Sequence, residues 1–298
     1  MKKNSLKIYY EILTWNDNIK KFYNRNIISK KKPPFVYGTD ETLNRLVQKN
    51  ISISRFGDGE FALIYKENLK FQKYDKNLAK RLKAILKSDS DSHLVCIPDV
   101  FQDLNIYTLE SKKYWTKYLE LNRWKIYRIL KKNKEYYNTQ VTRLYIDIKE
   151  KKLAENHFNK IKQLWNNREI LIVEGEQSRL GIGNDLFSNS TSIERIICPS
   201  LNAYSKYSQI LEQVKKTDKN KLVLIALGPT ATVLSYDLHC LGYQAVDIGH
   251  IDIEYEWFLS NATEKHPIKH KYIGEILGGD IVLDLNSATY ESQIICYI

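Results

Sequence analysis

A chain of 298 residues with 43% hydrophobic content is long enough to bury one large core or two modest ones, and too apolar to be disordered. Its formal charge of +11 suits a polyanionic partner (nucleic acid, an anionic membrane surface or a phosphorylated small molecule), although solvated helix faces would carry the same charge. No apolar run reaches the roughly 18 residues of a membrane span, and the N-terminus lacks a signal peptide's apolar stretch, so the expected location is the cytoplasm, with peripheral membrane contact left open.

The charge is unevenly placed. Residues 1–50 carry 11 Lys/Arg against 4 Asp/Glu and residues 111–168 carry 16 against 5, whereas residues 240–298 carry 3 against 9. The cysteines, Cys96, Cys198, Cys240 and Cys296, are far apart and form no CxxC pair, so buried, reduced thiols are expected rather than a zinc or redox centre.

In chain order, residues 5–28 show helical spacing of apolar residues (Leu6, Tyr9, Tyr10, Leu13), followed by the basic, proline-bearing link "SKKKPPF". Residues 1–39 thus read as an appended helical segment and hinge before a domain spanning 40–298. From about residue 40, β-branched runs alternate with amphipathic stretches, the pattern of a parallel sheet with crossover helices. The expected strands are 51–55, 93–97, 169–175, 194–198, 221–227, 244–249 and 280–285. Residues 99–168, rich in Lys, Tyr and Trp, are too long for a simple crossover and read as a helical insertion forming a lid or acceptor-side wall. Its aromatics Tyr114, Trp115, Tyr118, Trp124 and Tyr127 recur at helical spacing, so most are expected in packing and one or two against a sugar.

Most of the 12 glycines fall just after expected strands, where the loops of a parallel sheet share one edge and ligands bind. Four loops are candidates. In "RFGDGE", Arg55, Phe56 and Gly57 precede Asp58 and Glu60, two carboxylates in a tight turn suited to a divalent ion that keeps places for phosphate oxygens. Arg55 can pair with a carboxylate or a diphosphate. Equally, Asp58 and Glu60 are ordinary acids at a helix start. In "IVEGEQSRLGIGNDLF", Glu174, Glu176, Ser178, Arg179, Gly183, Asn184 and Asp185 follow an apolar strand; the run falls short of a GxGxxG dinucleotide loop and reads as nucleotide or sugar contacts or as a charged turn. In "LIALGPTATVLSYDL", Gly228, Pro229, Thr230 and Thr232 open a helix whose start favours an anion, or is simply a helix start; there is no Walker lysine. In "DIGHIDIEYEW", Asp247, Asp252, Glu254 and Glu256 crowd four carboxylates into ten residues, which a metal or solvent must compensate. His250 beside them is a ligand, a base or a hydrogen-bonded structural residue. No GxSxG, HExxH or deaminase motif occurs.

Taken together, "SRFGDGE", "GEQSRLGIGNDLF", "LGPTATVLSYDL" and "GYQAVDIGHIDIEYEW" resemble, in matching order over roughly residues 40–285, the GT-D fold glycosyltransferases, a bacterial family from glycosylation clusters for serine-rich adhesins and surface polysaccharides. The resemblance implies an α/β, Rossmann-like, mostly parallel sheet with the N-terminal helical segment and helical insertion described above. It also implies a UDP-sugar donor, with a hexose such as glucose expected, a glycan or glycoprotein acceptor, and Mn2+ or Mg2+ held by an Asp-x-Glu motif. Two such motifs are present. Asp252 and Glu254, in the denser acidic cluster, are expected as primary metal ligands, with Asp58 and Glu60 contacting the nucleotide sugar or sharing the ion, and Glu60 or Glu254 as general base. The helix start at Gly228 to Thr230 and either Arg179 or Arg55 would add donors where charge builds up on the leaving diphosphate. Two rivals rank below: a metal-dependent phosphohydrolase or nucleotidyltransferase using the same acids, and a nucleic-acid-binding protein using the basic 111–168 segment.

Overall fold

The computed structural model describes residues 15–48 and 50–298. The part of the expected N-terminal helix before residue 15 lies outside the described residues. Residues 15–26 are helical (α1). There follow β1 (Phe35–Val36), α2 (Thr39–Leu46), β2 (Ser52–Arg55), α3 (Asp58–Ile64), α4 (Lys76–Ile85), β3 (His93–Ile97), α5 (Leu109–Ile129), β4 (Glu135–Asn138), α6 (Ala154–Lys162), β5 (Glu169–Gly175) and β6 (Ser192–Cys198). The chain continues through α7 (Tyr207–Val214), β7 (Leu222–Ala226), α8 (Pro229–Cys240), β8 (Ala245–Asp247), α9 (Ile251–Leu259), α10 (Ala288–Gln293) and β9 (Ile294–Tyr297).

The strands form one nine-stranded sheet in the order β1-β4-β3-β2-β8-β7-β5-β6-β9, with every strand pair parallel. β5 and β7 carry near-continuous apolar runs because both faces of the sheet are covered. Ile170, Ile172, Leu222 and Leu224 enter a core with Phe158, Trp165 and Trp257, while Leu171, Val173, Val223 and Ile225 alternate into a second core with Ile210, Leu234 and Leu238. A third core gathers Phe56, Phe61, Leu82, Trp115 and Ile126 around α3, α4 and α5.

Six of the seven expected strands are present. The seventh, 280–285, is irregular backbone: Ile281 and Leu283 are exposed, and the edge beside β6 is filled by β9. The segment 99–168 is more than a helical insertion, since it contains β4, which pairs β3 on one side and β1 on the other. The link at 29–35 likewise ends in a sheet strand. Of the cysteines, Cys96 and Cys198 are buried as expected, but Cys240 is exposed and Cys296 half-buried, all four as free thiols.

Strand order reverses between β2 and β8. From β2 the chain steps outward through β3 and β4, and from the other side it returns through β7 to β8, so the loops after β2 and β8 part in opposite directions and open a crevice. The two strands meet through one register pair, Ile53 with Val246. At their carboxyl ends the Arg55 backbone N–H and guanidinium donate to the two carboxylate oxygens of Asp247 at 3.3 and 3.4 Å. Gly249 lets this pair form: its φ is +45°, and a Cβ there would fall on the Arg55 guanidinium. Gly249→Ala is therefore expected to cost about 1–3 kcal/mol, measured by denaturant unfolding, and to displace Arg55. Wild-type stability in that variant would show that the backbone does not need the glycine.

Candidate active site

The crevice is about 630 Å³ and is lined from the ends of seven strands, with Pro98 after β3 and Pro199 and Ser200 after β6. After β2 come Gly57, Asp58 and Glu60; after β4, Thr139, Gln140, Arg143 and Asp147; after β5, Gln177 and Ser178; after β7, Leu227 and Gly228; after β8, Gly249, His250 and Asp252. The first turns of α5 add Glu110, Ser111, Tyr114 and Trp115, and the segment after α9 adds Lys265, Tyr272 and Glu275.

The two Asp-x-Glu motifs differ. Glu60 reaches back to accept from the Gly57 backbone N–H at 2.6 Å, a glycine version of the capping box. Asp58, exposed at the rim, accepts from the Tyr114 hydroxyl. Burial, together with Asp247 and Asp58, pushes the Glu60 carboxyl up to about 7 against the opposing pull of the Gly57 N–H.

Asp252 and Glu254 sit on helix α9 two residues apart, where side chains leave the axis in different directions. Asp252 Oδ1 accepts from Gly181 N at 2.9 Å and Asn184 Nδ2 at 2.8 Å, and Oδ2 pairs with the buried Lys271 ammonium at 2.7 Å. Glu254 is fully buried and lies outside the crevice lining. Its Oε2 accepts from Tyr145 N and Ile146 N, both at 2.9 Å, and Arg143 stands 3.9 Å from Oε1. Burial pushes its carboxyl up to about 7 although Arg143 opposes this. In this arrangement Asp252, in the crevice lining, is paired with a lysine, while Glu254 clamps the loop after β4. Among the described residues no three His, Cys, Asp or Glu side chains converge as a metal cluster.

Of the other expected site residues, Arg55, Gly57, Ser178, Gly228 and His250 line the crevice. The rest do not. Phe56 is core, fully buried in the same cluster as Phe61. Arg179 donates to the carbonyls of His270 and Leu283 at 2.9 and 2.8 Å, securing the C-terminal segment. Asn184 donates to Asp252 and Glu256, Asp185 accepts from Lys162 and Tyr255, and Glu176 and Gly183 lie outside the lining. Glu174 is a buried partner of Arg195 at 2.5 Å.

The start of α8 offers less to an anion than its sequence suggests. Pro229 has no N–H, Thr230 N donates to Leu227 O and Ala231 N to Gly228 O, and Thr230 itself is buried. Thr232 Oγ1 donates to the Arg55 carbonyl at 2.8 Å, holding β2 rather than a ligand.

The residues that sequence reading missed form a charged set at the β4 end. Arg143 donates to both oxygens of Glu275, at 2.9 and 3.3 Å, and to Asp147 at 3.3 Å. Lys265 pairs with Glu275 at 2.9 Å and Asp147 at 3.4 Å. Burial alone would raise the Glu275 carboxyl, but Arg143, His250 and Lys265 hold it well below the usual range. Burial and Arg143 press His250 down to about 4, so it is neutral at pH 7. Recognising β4 was the signal required, because the loop after any parallel strand belongs at this edge.

These features define a class: a doubly wound, parallel α/β domain with its ligand crevice at the switch point. Within it, the chain belongs to the glycosyltransferase GT-D fold family, whose model matches residues 53–276. It is 41% identical over 261 residues to the probable glycosyl transferase Gly of Streptococcus gordonii, covering 87% of this chain and 38% of that protein. To the glycosyltransferase GlyD of Streptococcus pneumoniae serotype 4 it is 40% identical over 264 residues, covering 88% and 32%. The chain therefore spans about a third of the length of these curated relatives. Among solved structures it matches the conserved domain of unknown function 1792, described as having a distinct glycosyltransferase fold, with TM-score 0.86 and 38% identity over 93% of this chain and 99% of that one. A new glycosyltransferase of the same domain from Streptococcus sanguinis matches with TM-score 0.85 and 40% identity, over 89% and 100%.

Asp252→Ala leaves Lys271 buried with Glu256 alone. The expected outcome is a loss of about 3–5 kcal/mol, as for other broken buried pairs, visible as a large drop in Tm. Undiminished stability would mean that Asp252 is free for a ligand after all.

Proposed function

We propose that this domain transfers a hexosyl group from a UDP-sugar to a hydroxyl of a glycan acceptor, carried on a glycoprotein or surface polysaccharide. The observation that carries this reading is the meeting of seven strand-end loops in one crevice, in a chain of this family, with the acids Asp58 and Glu60 and the cations Arg143 and Lys265 in the same lining. The volume is within the range of small-ligand clefts.

Sugar transfer requires the leaving diphosphate to be neutralised and the acceptor hydroxyl to be held against the anomeric carbon. Asp58 and Glu60, both in the lining, suit a divalent cation, Mn2+ or Mg2+, better than the α9 acids, of which only Asp252 lines the crevice. Both line the crevice, and the Glu60 carboxyl, raised first by burial and further by Asp247 and Asp58, is one that a neighbouring cation would bring back down. Such an ion would supply charge neutralisation at the diphosphate. Arg55, fixed by Asp247 and Thr139, orders the wall behind these acids. Glu254, withdrawn from the crevice, acts on the reaction only through the 143–147 loop it holds.

Two measurements test this. Asp58→Asn is expected to lower cation-dependent release of UDP by at least about a hundredfold while Tm stays nearly constant, because the side chain is exposed. Full turnover in that variant, or release of inorganic phosphate or pyrophosphate in place of UDP, would overturn the assignment. The pH profile gives the second. Glu60 is protonated below about 7 and then cannot share a cation, so kcat/KM at limiting cation should rise with pH through about 7. Glu60→Gln should abolish that rise; an unchanged profile would remove Glu60 from the site.

A further inference from the structure

Helix α1 stands apart from the crevice and is built the wrong way round for a soluble surface helix. Its inner face is attached through polar contacts: Asn24, 1% exposed, donates to the Glu120 carbonyl at 2.8 Å and accepts from Trp124 N at 2.8 Å on α5, and Arg25 pairs with Glu120. Its outer face carries Trp15, Ile19 and Phe22 at i, i+4 and i+7, exposed by 70%, 48% and 66%. A helix whose apolar stripe faces away from its own core has that stripe available for something else.

The charges around the stripe indicate what. Between residues 15 and 32 six Lys/Arg stand against one Asp; that Asp17 is paired with Lys20, and Lys30, Lys31 and Lys32 are exposed just beyond the helix. Two copies meeting through this face would oppose these like charges. An anionic lipid surface satisfies both halves of the pattern: aromatic and aliphatic side chains enter the headgroup–acyl boundary while lysines reach the phosphates. Among the described residues no helix is long and apolar enough to cross a membrane, so the contact is in the plane of the surface. We propose that α1 docks this domain peripherally on anionic bilayers, held at a fixed orientation by Asn24.

Vesicles of phosphatidylglycerol and phosphatidylcholine, compared with phosphatidylcholine alone, provide the test. The intact chain should co-sediment with the mixed vesicles, release with added salt, and show Trp fluorescence quenched by bromine-labelled lipid, the quenching being lost in Trp15→Phe. Phe22→Glu should weaken binding at least tenfold. Replacing Lys30, Lys31 and Lys32 by Gln should weaken it roughly a hundredfold at low salt, about fivefold per lysine. Neither change touches the crevice, so Tm and UDP-sugar turnover in solution serve as folding controls. Equal binding to both vesicle types, no binding to either, or a concentration-dependent dimer abolished by Phe22→Glu would each overturn the proposal, the last assigning the stripe to a second copy.

Discussion

The ion pair between Arg55 and Asp247 is the constraint on which the crevice depends. The two residues end the strands on either side of the point where the sheet reverses its winding, and those strands share only one register pair. Backbone pairing alone would leave this seam weak. The Arg55 guanidinium also donates to Thr139 O at 3.1 Å, and its carbonyl accepts from Thr232, so one side chain and its backbone tie β2, β8, α8 and the loop after β4. Burial raises the Asp247 carboxyl and the arginine opposes that rise. A charge buried at a seam is costly unless its partner is fixed, and Gly249 provides the space that fixes it.

Helical phase decides what an acidic motif can do. At Asp252 and Glu254 the helix separates the carboxylates, one toward Lys271 and Asn184, the other toward the backbone of Tyr145 and Ile146. At Asp58 and Glu60 the acids fall in the first turn of α3, where a capping side chain folds back and both carboxyls stay near the strand end. The same three-residue pattern brings both acids to the crevice at Asp58 and Glu60, but only Asp252 at the α9 motif.

Strands buried on both faces were legible because their sequences are unbroken apolar runs: "EILIVEG", "KLVLIAL" and "HLVCI" could be little else. The strands that were missed are short or peripheral. β1 has two residues, β4 reads "EYYN", and β9 is an edge strand with alternating exposure, so none presents the apolar run that marks a central strand. Losing β4 cost more than one strand. It turned the 99–168 segment into an apparent insertion and hid Arg143, Asp147 and Thr139, which lie at the ligand edge only because β4 is in the sheet. Conversely, "DIVLDL" has the alternation of a strand but finds no free edge. Of the polar residues in "GEQSRLGIGNDLF", Gln177 and Ser178 line the crevice, while most of the others serve the loop itself, because a long turn must satisfy its own backbone before it can serve a ligand.

The crevice is chemically asymmetric, and that asymmetry bears on how a donor and an acceptor would share it. Leu69, Phe71, Pro199, Ala203 and Leu227 contribute an apolar stretch of lining, while Arg143, Asp147, Lys265, Glu275 and His250 contribute a charged one. Phe71 packs against the start of α8, within 2.8 Å of where a Gly228 Cβ would lie, so the apolar wall approaches the helix start closely. A nucleobase is planar and largely apolar on its faces, whereas sugar hydroxyls need paired donors and acceptors in fixed positions. In the charged stretch nearly every acid is already matched by a base, which makes it rigid and keeps its net charge small. Preorganised groups of that kind discriminate between hydroxyl arrangements without first having to reorganise. The proposed reading therefore places selectivity for sugar at the β4 side of the crevice, in residues that sit on loops, while the strand ends and helix starts that hold those loops belong to the shared fold.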